Sequence, residues 1–197
     1  MQSEPWLEPL AGAITSGQCR TALDVGANDG EWSLWLASRF ERVVAVEPDD
    51  RCHNRATDSC KNVIEKHCAV GAATGAGVLR QRTSTLQSSL LDVHPVGDAG
   101  RDVAVICISR VSIVTLDDLL FAHPNIDFVK IDIEGAEGDA LAGALDPRWL
   151  DIRFLIESHD RREVVLDQLA RIGKEGVSVF PHPHPEAGKG HEWIWAS

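Results

Sequence analysis

Apolar residues along the chain fall into short runs bounded by charged or turn residues, and these runs alternate with segments of helical period. Strand-like runs occupy 21–25, 42–47, 62–67, 127–132, 152–157, 176–180 and 192–196. Helical periodicity occupies 30–38, 50–59, 115–122, 136–144 and 161–172. Leu7, Leu10, Ala11 and Ile14 form an i, i+3, i+4, i+7 stripe, which predicts an N-terminal helix within 1–17, ending near Gly17. Strands separated by helices predict an α/β protein with a mostly parallel sheet and helices packed on its faces. Thr115-Leu-Asp-Asp118 and Asp160-Arg-Arg-Glu163 both read as helix starts, the second as a full capping box. The last two strands are joined by Pro181-His-Pro-His-Pro185 and the glycines 188 and 190, with no helix between them. They are expected to be antiparallel, as a hairpin at the sheet edge.

Residues 71–114 break the alternation. Gly71–Gly77 reads as a flexible turn, Thr83–Gly100 is rich in Ser, Thr, Asp and Gly with Pro95, and Val103–Ile108 is a short β-type run. An insertion this long before the fourth central strand is functional or disordered. The expectation is a substrate-covering segment, 71–114, within a single domain spanning 1–197.

The chemistry concentrates at the first strand. Ala22-Leu-Asp-Val-Gly-Ala-Asn-Asp-Gly30 runs from an apolar strand through a glycine turn into a helix. Gly26 and Gly30 let backbone approach a ligand and let the helix pack on the strand. Asn28 stands where a dinucleotide fingerprint would place the glycine that admits a pyrophosphate, so the pattern points to a nucleoside ligand without one. Glu47, 17 residues beyond Gly30, ends the next strand before Pro48 and is placed to accept both ribose hydroxyls. Asp24, Gly26, Gly30 and Glu47 together point to an S-adenosylmethionine site, with Asp24 holding the turn or the methionine amino group. The plainer reading of Asp24 is a carboxylate capping the following helix. Cys68, Ala69 and Val70 are expected to end the third strand and flank an adenine ring, or to be ordinary core.

A net charge of −11 and a pI near 5.1 have the wrong sign for a surface that neutralises phosphates, so nucleic acid is disfavoured as a partner. The five cysteines are scattered and form no C-x-x-C pair, as reduced thiols in a cytoplasmic protein would be. No signal peptide is read at the N-terminus, and no apolar run approaches the ~20 residues of a membrane span.

Three segments carry a family resemblance: Leu23-Asp-Val-Gly-Ala-Asn-Asp-Gly30 with Val46-Glu-Pro48, then Val114-Thr-Leu-Asp-Asp-Leu119, then Phe128-Val-Lys-Ile-Asp-Ile-Glu-Gly-Ala-Glu137. In order and spacing, from about residue 20 to about residue 160, the chain resembles the FkbM-type family of S-adenosylmethionine-dependent methyltransferases. The resemblance implies a Rossmann-like class I methyltransferase sheet with an antiparallel C-terminal strand. It also implies methyl transfer to a hydroxyl, on a sugar or glycan or a small secondary metabolite.

Methyl transfer from a sulfonium is an in-line displacement, in which alignment supplies most of the catalysis and a base on the hydroxyl a smaller part. Asp132, at the tip of the strand beyond the switch in strand order, is assigned to the junction of cofactor and acceptor. Lys130 is expected to pair with a carboxylate structurally, while Glu134 and Glu137 belong to the site or cap the next helix. His159, beside Glu157, is the candidate base, provided its pKa lies near neutrality; the plain alternative is a loop histidine. A variant places a hard divalent ion among Asp132, Glu134, Glu157 and His159, although their spacing matches no recognised metal motif and no metal is assigned. His182, His184 and His191 read as loop residues. Two other functions stay open: a nicotinamide-dependent oxidoreductase, which Asn28 disfavours, and a non-catalytic S-adenosylmethionine-binding module.

Overall fold

β1, Thr21–Val25, is buried along its whole length in the interior of a seven-stranded sheet. In this computed structural model, residues 7–52, 54–83, 88–90, 104–182 and 191–197 are described. Residues 1–6 of the expected N-terminal helix, 84–87 and 91–103 of the expected insertion, and 183–190 of the last hairpin (with His184) lie outside them.

Parallel pairing sets β1 between β2 (Arg42–Val46) and β7 (Ile126–Ile131), with β3 (Val63–Lys66) beyond β2 and β8 (Arg153–His159) beyond β7. The chain then departs from parallel order. β10 (His191–Ala196) lies antiparallel between β8 and β9 (Val177–Pro181), so the predicted hairpin occupies the sheet edge with the last strand inside it. Strand order therefore reverses direction between β1 and β7, which opens a crevice at the C-terminal ends of those two strands.

Side chains alternate across the sheet and build two cores. Leu23, Val25, Val44, Val46, Val129, Ile131, Phe154 and Ile156 face one layer, made by α4 (Leu116–Ala122), α5 (Glu137–Ala142) and α6 (Arg162–Ile172). Ala22, Val43, Phe128, Leu155 and Trp193 face the other, with Ile14 of α1 (Leu7–Ile14) and Leu36 of α2 (Glu31–Ala37). Helices thus cover both faces, as the hydrophobic periods require. No described helix is long and apolar enough to cross a membrane.

Two local readings are corrected. The full capping box is at Thr115: its hydroxyl accepts from the Asp118 N–H at 3.0 Å, while Asp118 accepts from the Thr115 N–H at 2.9 Å. Asp160 instead adopts φ 58°, and α6 starts after Arg161 without a side-chain cap. An N-cap needs extended backbone, which the sharp exit from β8 denies to Asp160.

The second correction concerns residues 68–82. Ala69 and Val70 do not end β3; they form β4 (Ala69–Val70) of a separate three-stranded sheet. β4 pairs with β6 (Val105–Val114), which pairs antiparallel with β5 (Gly75–Arg82). β5 begins inside the stretch read as a flexible turn. Its first residues have low strand propensity, yet Gly77 is the residue the packing admits: a Cβ there would lie 2.7 Å from Ile113 Cδ1.

Candidate active site

The turn after β1 is built from left-handed residues. Gly26 has φ 79°, and a Cβ on it would sit 1.8 Å from the Asp132 carbonyl, so only glycine lets β1 close against the β7 tip. Asn28 has φ 46°, a conformation asparagine tolerates better than most residues. At a glycine position it performs the glycine's backbone task while its N–H donates to Glu47 Oε2 at 2.9 Å. The other Glu47 oxygen accepts from the Asp49 N–H at 2.8 Å.

Asn28 and Glu47 line one cleft together with Val25, Gly26, Pro48, Ala69 and Asp132. Of the candidate cofactor residues, Gly26, Asn28, Glu47, Pro48, Ala69 and Asp132 share its wall. Asp24 and Gly30 stand behind it. Asp24 is fully buried, accepting from Ser33 Oγ at 2.6 Å with Lys130 Nζ at 3.4 Å. Gly30 packs on Asn54, the N-cap of α3 (Arg55–Ser59). Lys130 meets the structural expectation: its Nζ donates to the Gly26 carbonyl at 3.0 Å and lies 3.3 Å from Asp132 Oδ2. Burial works against its charge, but Asp132, Asp24 and Glu157 outweigh burial and hold its pKa above the ordinary lysine value.

Burial pushes the Glu47 carboxyl up to about 7 against its two N–H donors, with Asp49 raising it and Lys130 lowering it further. A ribose held by Glu47 would donate to the ionised form, so cofactor binding there would expel the proton. S-adenosylhomocysteine affinity is therefore expected to rise about tenfold from about pH 6 to about pH 8 and then level off. Glu47→Ala is expected to cost about 1–3 kcal/mol of that affinity and to remove the pH dependence. Calorimetric titration at several pH values checks both, and a flat profile in the unmutated protein would remove Glu47 from the ribose.

At the tips of β7 and β8, His159 is 1% exposed. Its Nδ1 lies 2.8 Å from Glu137 Oε1, which also accepts from the Gly135 N–H at 2.9 Å. Its Nε2 lies 3.7 Å from oxygens of Asp132, Glu134 and Glu157 alike. Burial favours the neutral ring, but the Glu137 hydrogen bond and the charges of Glu137, Glu134 and Asp132 push the pKa up to about 10. The expected near-neutral imidazole is thus enclosed, with its pKa raised by the surrounding carboxylates, and does not line the cleft wall.

Sequence reasoning missed several neighbours. His191 and His182 are not isolated loop residues; their ring nitrogens lie 3.2 and 3.5 Å from Glu157 Oε1. The β8–β10 register sets His191 opposite His159, with rings 4.6 Å apart. A covering role was expected of 71–114, but the contacts that tie Ser88 and Ser89 to the cleft were not. Ser88 Oγ donates to Asp49 at 2.9 Å, Arg51 pairs with Asp49, and Ser89 Oγ donates to the Glu134 carbonyl at 2.9 Å. The charged run Asp49-Asp50-Arg51 after Pro48 was the available sequence signal.

The sheet order, the left-handed turn without a pyrophosphate glycine and the strand-terminal Glu47 define a class I methyltransferase. The FkbM methyltransferase domain family matches residues 24–172, and the chain belongs to that family, with S-adenosylmethionine as its methyl donor. This settles the oxidoreductase alternative. No curated protein matches the chain in sequence. Solved structures share the fold at low identity. Precorrin 8w decarboxylase from Methanobacterium thermoautotrophicum is 14% identical, covering 98% of this chain and 90% of that one at TM-score 0.52. An rRNA methylase from Streptococcus thermophilus is 10% identical, covering 95% and 93% at TM-score 0.54. Burkholderia thailandensis 1,6-didemethyltoxoflavin-N1-methyltransferase, with 1,6-didemethyltoxoflavin and S-adenosylhomocysteine bound, is 16% identical, covering 98% and 78% at TM-score 0.50.

Proposed function

We propose that the protein methylates a hydroxyl oxygen on a sugar, glycan or small secondary metabolite. The observation carrying this reading is the pair of carboxylates, Asp132 and Glu134, on the cleft wall at the β7 tip. Carboxylates accept hydrogen bonds from hydroxyls and take up their protons, whereas they repel the phosphates of RNA. The net charge of −11 works in the same direction. Fold alone does not discriminate, since structures named as an rRNA methylase and an N1-methyltransferase share it.

Glu47 receives the ribose hydroxyls, Asn28 and Gly26 shape the wall beside them, and Pro48 and Ala69 flank the base. Asp24 and Gly30 hold the turn from behind. When bound, S-adenosylmethionine supplies the methyl carbon to the acceptor oxygen and leaves as a neutral thioether, the sulfur–carbon electron pair remaining on sulfur. Asp132 takes the hydroxyl proton at Oδ1, the oxygen turned towards His159, and passes it to solvent. Lys130 holds Oδ2, and His159 fixes the carboxylates from behind, so it acts by positioning. Ser88, Ser89 and Leu90, within the expected substrate-covering segment, line the cleft. Five free thiols support a cytoplasmic location.

The test is transfer of labelled methyl from S-adenosylmethionine to a panel of glycosides, polyols and phenolic metabolites, with amines and RNA as competitors. Label is expected in a base-stable ether on a hydroxyl compound. Label confined to RNA or to amines would overturn the acceptor class.

A further inference from the structure

Four carboxylates, Asp132, Glu134, Glu137 and Glu157, surround one imidazole at the β7 and β8 tips. All are at least half-buried; among the described residues Lys130 Nζ, shared with Asp24, lies 3.3 Å from Asp132, and His182 and His191 approach Glu157.

We propose that Asp132, Glu134 and His159 bind a divalent cation, a site that rests on the methyltransferase reading only for its purpose. The donor atoms of these three residues lie within 4.8 Å of one another. The Nε2–oxygen distances of 3.7 Å are too long for hydrogen bonds. Donors around one ion at ~2.1 Å stand roughly 3.0–3.5 Å apart, so the two Nε2–oxygen separations need shorten by only a few tenths of an ångström.

Orientation is already fixed. Glu137 Oε1 holds His159 Nδ1 at 2.8 Å, which aims Nε2 at the carboxylates, the usual arrangement behind a metal-bound histidine. Glu137 Oε2 is buried without a hydrogen-bond partner, so this carboxylate's charge falls on the imidazole. Two of the three ligands, Asp132 and Glu134, line the cleft, which leaves open coordination positions towards the acceptor. Glu157 Oε1, also 3.7 Å from Nε2, is a further oxygen within reach. One nitrogen and two carboxylates suit a borderline ion such as Mn²⁺ or Zn²⁺ better than Ca²⁺. The ion would displace the proton from His159 Nε2 to solvent, leaving the ring neutral with its Nδ1–H on Glu137, and would hold and polarise the hydroxyl presented to the methyl group.

The experiment uses full-length protein stripped with chelator and then freed of it. Mn²⁺ and Zn²⁺ are titrated separately by calorimetry, with the melting temperature followed in parallel, and S-adenosylhomocysteine binding is measured on the same samples. One ion per chain with a raised melting temperature is expected. Glu134→Gln, a half-buried change, is expected to weaken the ion about 10–100-fold while S-adenosylhomocysteine still binds. Protein that binds S-adenosylhomocysteine but neither ion at millimolar concentration overturns the metal site and leaves the methyltransferase reading intact. Equal ion affinity in Glu134→Gln also overturns it. Failure to bind S-adenosylhomocysteine would count instead against the underlying reading.

Discussion

Asp132→Asn is expected to lower turnover by about 10²–10⁴-fold, or roughly 3–5 kcal/mol in the barrier. Asparagine keeps the shape of the side chain and an oxygen for Lys130 Nζ, which lies 3.3 Å from Oδ2. It loses the charge that accepts the hydroxyl proton. The cleft is otherwise unchanged, so S-adenosylhomocysteine affinity should stay within a few-fold of the unmutated protein. Single-turnover methyl transfer and calorimetry together separate the two effects. A parallel loss of turnover and affinity would move Asp132 from the acceptor to the cofactor alone.

Lys130→Met is expected to destabilise the fold by about 3–5 kcal/mol, because it strands buried charge. Lys130 and Asp24 are both essentially without solvent contact, and the Nζ is the cation shared by Asp24, Asp132 and the Gly26 carbonyl. Asp24 Oδ1 has no hydrogen-bond partner and depends on that cation. For a chain of this size the melting temperature should fall by roughly 6–20 °C. Adding Asp24→Asn should recover part of the loss, since it removes one stranded charge. Urea denaturation of the single and double variants measures both. A loss under about 1 kcal/mol would mean that the pair carries little buried charge.

Much of the sheet was legible because burial imposes period 2 on strands and 3.6 on helices. Leu23 and Val25 against Ala22, and Val129 and Ile131 against Phe128, sort to opposite cores in the structure as their alternation requires. Residues 75–82 were not legible as a strand. Their glycines lack strand propensity, and the pairing partner lies across a long segment. The helix start at Asp160 was misread for a related reason: its pattern is local, but its backbone angle is set by the exit from β8.

The glycine turn, Glu47 and the β7 tip were marked by sequence, since local backbone conformation and strand ends follow from near neighbours. The state of His159 was not. Its partners come from the loop between β7 and α5, from α5 and from β8 itself, and His191 joins only through the β8–β10 register. What the chain alone determined was the alternating architecture and a strand-to-helix turn without a pyrophosphate glycine. Only the tertiary structure decided that a histidine beside a glutamate would be enclosed by four carboxylates. Charge at a buried site depends on every group packed within a few ångströms, and most of those groups are far apart along the chain.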